Sequence, residues 1–252
     1  MAYLNRLREW RARGTAWRDH LMLGCLLCRS RTPGGLCQPC REKVCASMAP
    51  SVRRCPRCAG RLSECGLAPC PDCSQIDPAL LRVVAAFDYD WPGELLIQAL
   101  KLRGQFSCAP VLAGLLAARC GALQCEPDTW VTAVPAGRQA LIRRGFNPAG
   151  EIGRALAARL GLAWRPGLLT RVEEGPEQKS LGRRERREQV RGLYRCRADV
   201  TGRHLLVVDD VMTTGSTLSA IAEALQAQGA SAVWAAVVAR TPARSQPRAH
   251  GG

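Results

Sequence analysis

Four Cys-x-x-Cys pairs before residue 74 constrain the fold of this chain more than any other feature of its sequence. The pairs are Cys25 and Cys28, Cys37 and Cys40, Cys55 and Cys58, and Cys70 and Cys73. They repeat with a period of about thirty residues, and each copy holds two pairs. Two such turns complete the tetrahedral thiolate shell that structural zinc prefers. We therefore expect a small domain with two zinc ions, whose binding supplies most of its folding free energy.

The sequence does not determine which of these cysteine pairs bind the same metal ion. In a sequential scheme one ion takes Cys25, Cys28, Cys37 and Cys40, and the other takes Cys55, Cys58, Cys70 and Cys73. A cross-brace would interleave the same pairs. Redox dithiols are the alternative to metal, although redox motifs come singly beside a βαβ pattern rather than four in succession. Of the 14 cysteines in the chain, those after residue 100 are typical of small apolar residues.

From about residue 81 the hydrophobic pattern changes to strands alternating with helices. The strand-like segments are LRVVAAFDYD, TWVTAVP, HLLVVDD and SAVWAAVVA, and the helix-like ones are GELLIQALKLR, APVLAGLLAARC, PAGEIGRALAARLG and STLSAIAEALQAQG. This alternation predicts an α/β fold with a mostly parallel sheet and helices on both faces. We expect an N-terminal helix and the zinc domain in residues 1–80, a second domain in 81–240 and a disordered tail in 241–252. Each domain is expected to close its own core.

The segment LLVVDDVMTTGSTL, residues 205–218, combines a buried-type strand with two adjacent carboxylates and a hydroxyl-rich turn. Asp209 and Asp210 cannot both be buried without partners. The turn at 213–217 precedes an apolar-periodic helix, so its backbone N–H groups and hydroxyls can hold a phosphate at the helix N-terminus. The carboxylates would then face the group attached to that phosphate, and a ribose offers vicinal hydroxyls there. The spacing matches neither a Walker A loop nor a dinucleotide fingerprint.

With these residues the chain resembles the ComF/GntX family, which joins a double zinc ribbon to a type I phosphoribosyltransferase fold. The segment 205–218 is similar to the phosphoribosyl-pyrophosphate motif of those transferases. KLRG at 101–104, Val134-Pro135, RRGFN at 143–147 and QKSLGRRERREQV at 178–190 follow in family order. The resemblance covers almost the whole chain except about the first twenty residues and the tail.

The resemblance implies a role for individual residues. Asp209 and Asp210 would be the catalytic pair that holds the ribose hydroxyls. Thr213, Thr214, Gly215, Ser216 and Thr217 would bind the 5′-phosphate, while Lys101, Arg138 and Arg144 complete the substrate-binding set. In this fold class pyrophosphate, with Mg²⁺ bridging its oxygens, leaves C1 as positive charge grows on the ribose, so catalysis rests on positioning and charge neutralisation. An Arg-rich loop at 183–187 would close over the leaving group, or else forms a solvated basic face.

Charge and hydropathy bear on partners and location. The net charge of +15 favours phosphate-bearing partners such as single-stranded DNA, although a high arginine content also follows from GC-rich coding. The absence of a long apolar run excludes a membrane span, and the charged N-terminus does not fit a signal peptide, so we expect a cytoplasmic protein. Three functions remain: a phosphoribosyl-pyrophosphate-binding protein acting in DNA uptake with DNA-uptake proteins as partners, a nucleobase-salvage transferase, and a non-catalytic DNA-binding or regulatory module.

Overall fold

The computed structural model describes residues 23–62, 70, 73, 76, 79–123, 125–172 and 192–242. Three predictions lie outside these residues, namely the N-terminal helix, the Arg-rich loop at 183–187 and nearly all of the tail at 241–252. None of the helices in the described part of the chain combines the length and apolarity needed to traverse a bilayer.

Strands and helices alternate through the described residues. The strands are β1 (Leu23–Gly24), β2 (Arg31–Thr32), β3 (Arg82–Asp88), β4 (Trp130–Ala133), β5 (Ala163–Trp164), β6 (Leu169–Arg171), β7 (Tyr194–Cys196), β8 (His204–Met212) and β9 (Ala232–Arg240). The α-helices are α1 (Gln38–Cys45), α2 (Gly93–Arg103), α3 (Cys108–Cys120), α4 (Arg138–Arg144), α5 (Pro148–Leu160) and α6 (Ser216–Gln226). Short 3₁₀ turns follow α1 at Ala46–Met48 and α3 at Gly121–Leu123.

A five-stranded sheet in the order β3-β9-β8-β4-β5 forms the centre of the molecule, and every neighbouring pair in it is parallel. This confirms the predicted α/β class. Helix α4 was not predicted, because its sequence RQALIRR has no apolar residues at helical spacing. In the structure none of its residues is buried. The antiparallel pairs β1–β2 and β6–β7 lie outside this sheet.

Two hydrophobic cores fill the two faces of the sheet. Helices α2, α3 and α5 cover one face, and α6 with the β6–β7 hairpin covers the other. The cysteine-rich segment contributes to both: Leu36 and Val44 join the first core, while Met48 and Ile76 join the second. The expectation that each domain closes its own core is therefore wrong. The cysteine-rich segment buries too little apolar surface alone and completes the sheet's cores instead.

The cysteine-rich segment reaches both faces because it crosses the outer side of β3, which is the edge strand of the sheet. The backbone N–H of Val83 donates to the carbonyl of Arg57 at 2.7 Å, and that of Asp88 donates to the hydroxyl of Ser47 at 2.9 Å. Because an uncovered edge strand presents free backbone groups to other chains, this segment also protects the sheet from edge-to-edge association.

Candidate functional site

The carboxyl ends of β4 and β8 define the candidate site. These two strands are neighbours, and the chain continues from β4 to the β5 side of the sheet but from β8 to the β9 side. In open parallel sheets a ligand crevice forms where the strand order reverses in this way. The last register pair joins Ala133 to Val208, and the N–H of Val134 then donates to the carbonyl of Val208 at 2.9 Å. Asp209 therefore follows where β4 turns away.

The two carboxylates of this strand end have different partners. Asp210 accepts a salt bridge from Lys101, with Nζ and Oδ1 2.7 Å apart, and both side chains are largely buried. Asp209 is half-buried, and its Oδ1 accepts the backbone N–H of Asp210 at 2.8 Å. Lys101 lies in the last turn of α2, so this predicted substrate-binding residue neutralises one predicted catalytic carboxylate.

The Asp209 carboxyl has a strongly perturbed proton affinity. Burial, and then the neighbouring charge of Asp210, raise the pKa of Asp209 to about 8, while the N–H of Asp210 and the charge of Lys101 oppose that rise. A carboxyl in this state holds its proton near neutral pH and can donate a hydrogen bond. Strongly perturbed carboxyls in a crevice are typical of functional sites.

The turn at residues 213–217, which we call the anion loop, joins β8 to α6. Thr213 and Thr214 are exposed, whereas Ser216 and Thr217 are half-buried at the start of the helix. The hydroxyl of Thr214 lies 3.1 Å from that of Ser216 and accepts its backbone N–H at 3.4 Å. The loop thus brings hydroxyls and helix N–H groups to one place, where the helix dipole favours an anion.

Gly215 forms the corner of the anion loop and precedes the first residue of α6, with φ at +83°. A Cβ at this position would stand 2.5 Å from Cε of Met212 and 3.3 Å from Cγ1 of Ile76. Both side chains are buried. A side chain added at Gly215 would therefore enter a packed contact on the inner side of the loop.

Arg240 holds the start of the anion loop through hydrogen bonds to backbone carbonyls, and it was not among the predicted site residues. This arginine ends β9 with 2% of its surface exposed. Its Nη1 donates to the carbonyls of Met212 at 3.3 Å and Thr241 at 3.2 Å, and also to that of Thr213. A charged residue that directly ends the apolar run AVWAAVVA was the only signal in the sequence.

Arg138 and Arg144, two of the predicted substrate-binding residues, lie at the two ends of α4. Arg138 is exposed and Arg144 is half-buried. Helix α4 follows β4, so both arginines belong to the same edge of the sheet as Asp209.

The cysteines fall into two clusters that follow the sequential scheme. The first cluster is Cys25, Cys28, Cys37 and Cys40, and the second cluster is Cys55, Cys58, Cys70 and Cys73. The four sulfurs of each cluster lie within 4.8 Å of one another. Closest approaches are 3.4 Å between Cys55 and Cys73 and 3.5 Å between Cys28 and Cys37. A zinc–sulfur bond of about 2.3 Å in a tetrahedron separates sulfurs by roughly 3.8 Å, so both clusters suit structural zinc.

The two clusters begin with the same turn, which reflects the repeat in the sequence. Arg29 and Ala59 each follow the second cysteine of a pair, each has φ near +60°, and each donates its N–H to the carbonyl of the first cysteine at 2.9 and 3.0 Å. Burial raises the pKa of Cys58, whereas the Ser30 hydroxyl lowers that of Cys28 to about 6. A buried thiolate needs a neighbouring cation, which a bound metal ion supplies.

Comparison with known proteins finds a matching domain model and relatives along most of the chain. Residues 142–251 match the model of the phosphoribosyl transferase domain. DNA utilization protein YhgH of Salmonella typhimurium is 35% identical over 227 residues, which are 83% of this chain and 99% of that protein. Competence protein F of Haemophilus influenzae is 28% identical over 81% of this chain and 91% of that protein. Purine phosphoribosyltransferase from Pyrococcus horikoshii is 21% identical over 52% of this chain and 70% of that one, with a TM-score of 0.31.

A parallel sheet with an acidic strand end, together with this domain match, defines a protein of the phosphoribosyltransferase fold. These relatives match more than four fifths of the chain, which is more than the sheet and its helices alone. The chain belongs to the ComF family.

Proposed function

We propose that the chain binds phosphoribosyl pyrophosphate with Mg²⁺ at the carboxyl ends of β4 and β8, and that it acts in DNA utilization in the cytoplasm. The 5′-phosphate occupies the anion loop, and the ribose hydroxyls meet Asp209 and Asp210. Mg²⁺ would enter with the pyrophosphate, keep much of its hydration shell and supply positive charge that neutralises the leaving group. The DNA part of this proposal rests on the relatives, which are a DNA utilization protein and a competence protein.

One observation carries the ligand assignment. A carboxylate pair, a hydroxyl-rich loop and a helix N-terminus follow one another within nine residues of chain, at the point where the strand order reverses. The loop favours an anion, and the half-buried carboxyls can accept hydroxyl hydrogen bonds or, when Asp209 is protonated, donate one. A sugar phosphate presents both types of group at that spacing.

A charge placed at the start of α6 tests the assignment. Ser216→Asp puts a carboxylate where the phosphate would lie, while acidic residues are favourable in the first turn of a helix, so folding is preserved. Like charges about 4 Å apart near a protein surface repel by up to ~4 kcal/mol, so we expect binding to weaken at least about tenfold. Calorimetric titration with phosphoribosyl pyrophosphate and Mg²⁺ measures this.

Ser107→Asp provides the matched control, because Ser107 is an exposed residue directly before α3. This variant carries the same added charge at a different helix N-terminus and should bind like the wild type. Wild-type protein that shows no binding, or a folded Ser216→Asp variant with unchanged affinity, would exclude the proposed site.

Single-stranded DNA is the second ligand that we propose, and helix α4 favours it. The helix carries Arg138, Arg143 and Arg144 without any acidic residue, and Leu141 and Ile142 are exposed between them. Basic groups interspersed with exposed apolar side chains suit a nucleic-acid backbone and its unstacked bases. Binding should weaken steeply between 50 and about 200 mM salt. Affinity that does not change with salt would contradict this mode, whereas nucleobase-dependent pyrophosphate release would favour a salvage transferase.

A further inference from the structure

We propose that Ile76 is a positioning residue through which the second cluster holds the anion loop, so that metal occupancy of this cluster sets the loop's affinity for phosphate. The identity of the ligand rests on the proposed function, but the contact itself does not. The first cluster has no corresponding role.

The contact is made at the corner of the anion loop. Ile76 is 4% exposed, and its Cγ1 and Cδ1 lie 3.3 and 3.5 Å from the position that a Cβ on Gly215 would take. Gly215 adopts a positive φ at this corner. Thr213 and Thr214, which precede this corner, are exposed, so the side chain of Ile76 supports the inner side of the loop.

The second cluster fixes Ile76 in this place. Ile76 follows Cys73 by three residues, and its N–H donates to the Cys73 carbonyl at 3.2 Å. Its own carbonyl accepts Nη2 of Arg57, which lies between Cys55 and Cys58, at 3.3 Å. Both hydrogen bonds connect Ile76 to the two cysteine turns that share the second metal site. Metal binding therefore orders the backbone that presents the Ile76 side chain.

The first cluster packs elsewhere. Its neighbours Leu36 and Val44 belong to the core on the α2, α3 and α5 face. The neighbours of the Gly215 corner, Ile76 and Met212, belong to the core on the opposite face. Loss of metal from the first cluster therefore disturbs a different part of the molecule, which makes this cluster an internal control.

Coupling between a metal site and a ligand site is reciprocal. If metal in the second cluster increases the affinity of the loop for its ligand by some factor, the ligand increases the affinity of the cluster for metal by the same factor. In equilibrium competition with a chromogenic chelator, phosphoribosyl pyrophosphate with Mg²⁺ should therefore raise the zinc affinity of one of the two clusters and leave that of the other unchanged.

Amide hydrogen exchange of residues 213–217 without ligand tests the contact directly. Ile76→Ala should speed this exchange roughly tenfold or more and weaken phosphoribosyl pyrophosphate binding by a similar factor. Ile76→Val, which loses only Cδ1, should give an intermediate effect and serves alone if the alanine variant does not fold. Ile152→Ala removes the same atoms from a fully buried position on α5 and should leave exchange in the loop within about twofold of wild type.

Cysteine variants separate the two clusters. Cys73→Ser should reproduce the faster loop exchange, and Cys28→Ser should not, although each variant loses one zinc ion. Loop exchange that stays at the wild-type rate in Ile76→Val and Cys73→Ser would overturn the inference. If wild-type protein binds no phosphoribosyl pyrophosphate, the proposed ligand is wrong, and the exchange rates still decide whether Ile76 couples the cluster to the loop.

Discussion

Asp209 is the residue whose environment departs most from that of a free carboxyl. Burial and the charge of Asp210 raise its pKa to about 8, so the folded protein holds a proton there that the unfolded chain loses near pH 4. Between about pH 4 and pH 8 the folded state binds more protons, and stability must fall as pH rises across that window. Asp209 therefore lowers the stability of the folded protein as pH rises, and a ligand hydroxyl that hydrogen-bonds to this carboxyl can offset part of that loss.

Asp209→Asn should stabilise the free protein at pH 8, because the amide needs no proton to be neutral and its oxygen can still accept the N–H of Asp210. One pKa unit corresponds to about 1.4 kcal/mol. We therefore expect the free energy of unfolding at pH 8 to rise by more than about 1 kcal/mol, and this increase to shrink as pH falls toward 5. Urea unfolding from pH 5 to 8.5 measures it. Asp128→Asn, at an exposed position, should show no such trend. A gain for Asp209→Asn that does not vary with pH would contradict the raised pKa.

A side chain at Gly215 should destabilise the protein because of both the backbone conformation and the packing at this corner. Ala at this position would adopt a left-handed backbone and also press on Met212 and Ile76. Gly161 has a similar φ of +69° with open space around it. We expect Gly215→Ala to destabilise by about 1 kcal/mol more than Gly161→Ala and to weaken ligand binding as well. Equal costs in chemical denaturation would show that the packing at the corner is loose.

At the scale of elements, edge strand β3 is joined to the cysteine-rich segment by a buried charge cluster. Asp88 at the end of β3 is 3% exposed. Arg54 binds it through two contacts, at 2.8 Å from Nη1 and 2.9 Å from Nη2, and Arg61 adds a third at 2.6 Å. Because Arg54 and Arg61 flank the turn of Cys55 and Cys58, this cluster anchors the second metal site on the sheet.

The two arginines should contribute unequally. Arg54 is 13% exposed, so Arg54→Met leaves a buried carboxylate with one partner and should cost about 3 kcal/mol. Arg61 is 49% exposed, and solvent screens its pair, so Arg61→Met should cost about 1 kcal/mol or less. Urea unfolding at pH 7 compares the two variants. A larger loss for Arg61→Met would mean that Arg54 is not the principal partner of Asp88.

At the scale of the whole molecule, the cysteine-rich segment and the sheet share both cores, so they should unfold together. We expect two zinc ions per chain, and one in a Cys37→Ser variant. Cys196→Ser, outside both clusters, should keep two. Chelation should lower the midpoint of a single thermal transition by at least ~5 °C, which corresponds to about 2 kcal/mol for a chain of this size.

Scanning calorimetry with and without chelator distinguishes this outcome from independent domains. A low-temperature transition that appears after chelation, with the main transition unmoved, would show that the sheet completes its cores without the cysteine-rich segment. Metal analysis of the reduced protein that gives less than about one ion per chain would contradict the two predicted zinc sites.

Sequence by itself determined the features that depend on local spacing. Helix α2 occupies the predicted segment 93–103, the eight paired cysteines are the members of the two clusters, and the anion loop lies directly between β8 and α6. Hydrophobic period, turn residues and ligand spacing act over a few residues, so they can be recognised in the sequence alone. The choice between sequential and cross-braced sharing of the cysteines depends on contacts between residues farther apart in the chain, so the sequence left it open.

Only the tertiary structure decided which distant residues meet. Lys101 binds Asp210 across 109 residues of chain, and Ile76 supports Gly215 although the two are far apart in sequence. Nothing in the local pattern shows that the cysteine-rich segment covers edge strand β3 and fills both cores. These contacts follow from the strand order and from close packing of the two faces, which depend on the whole chain at once.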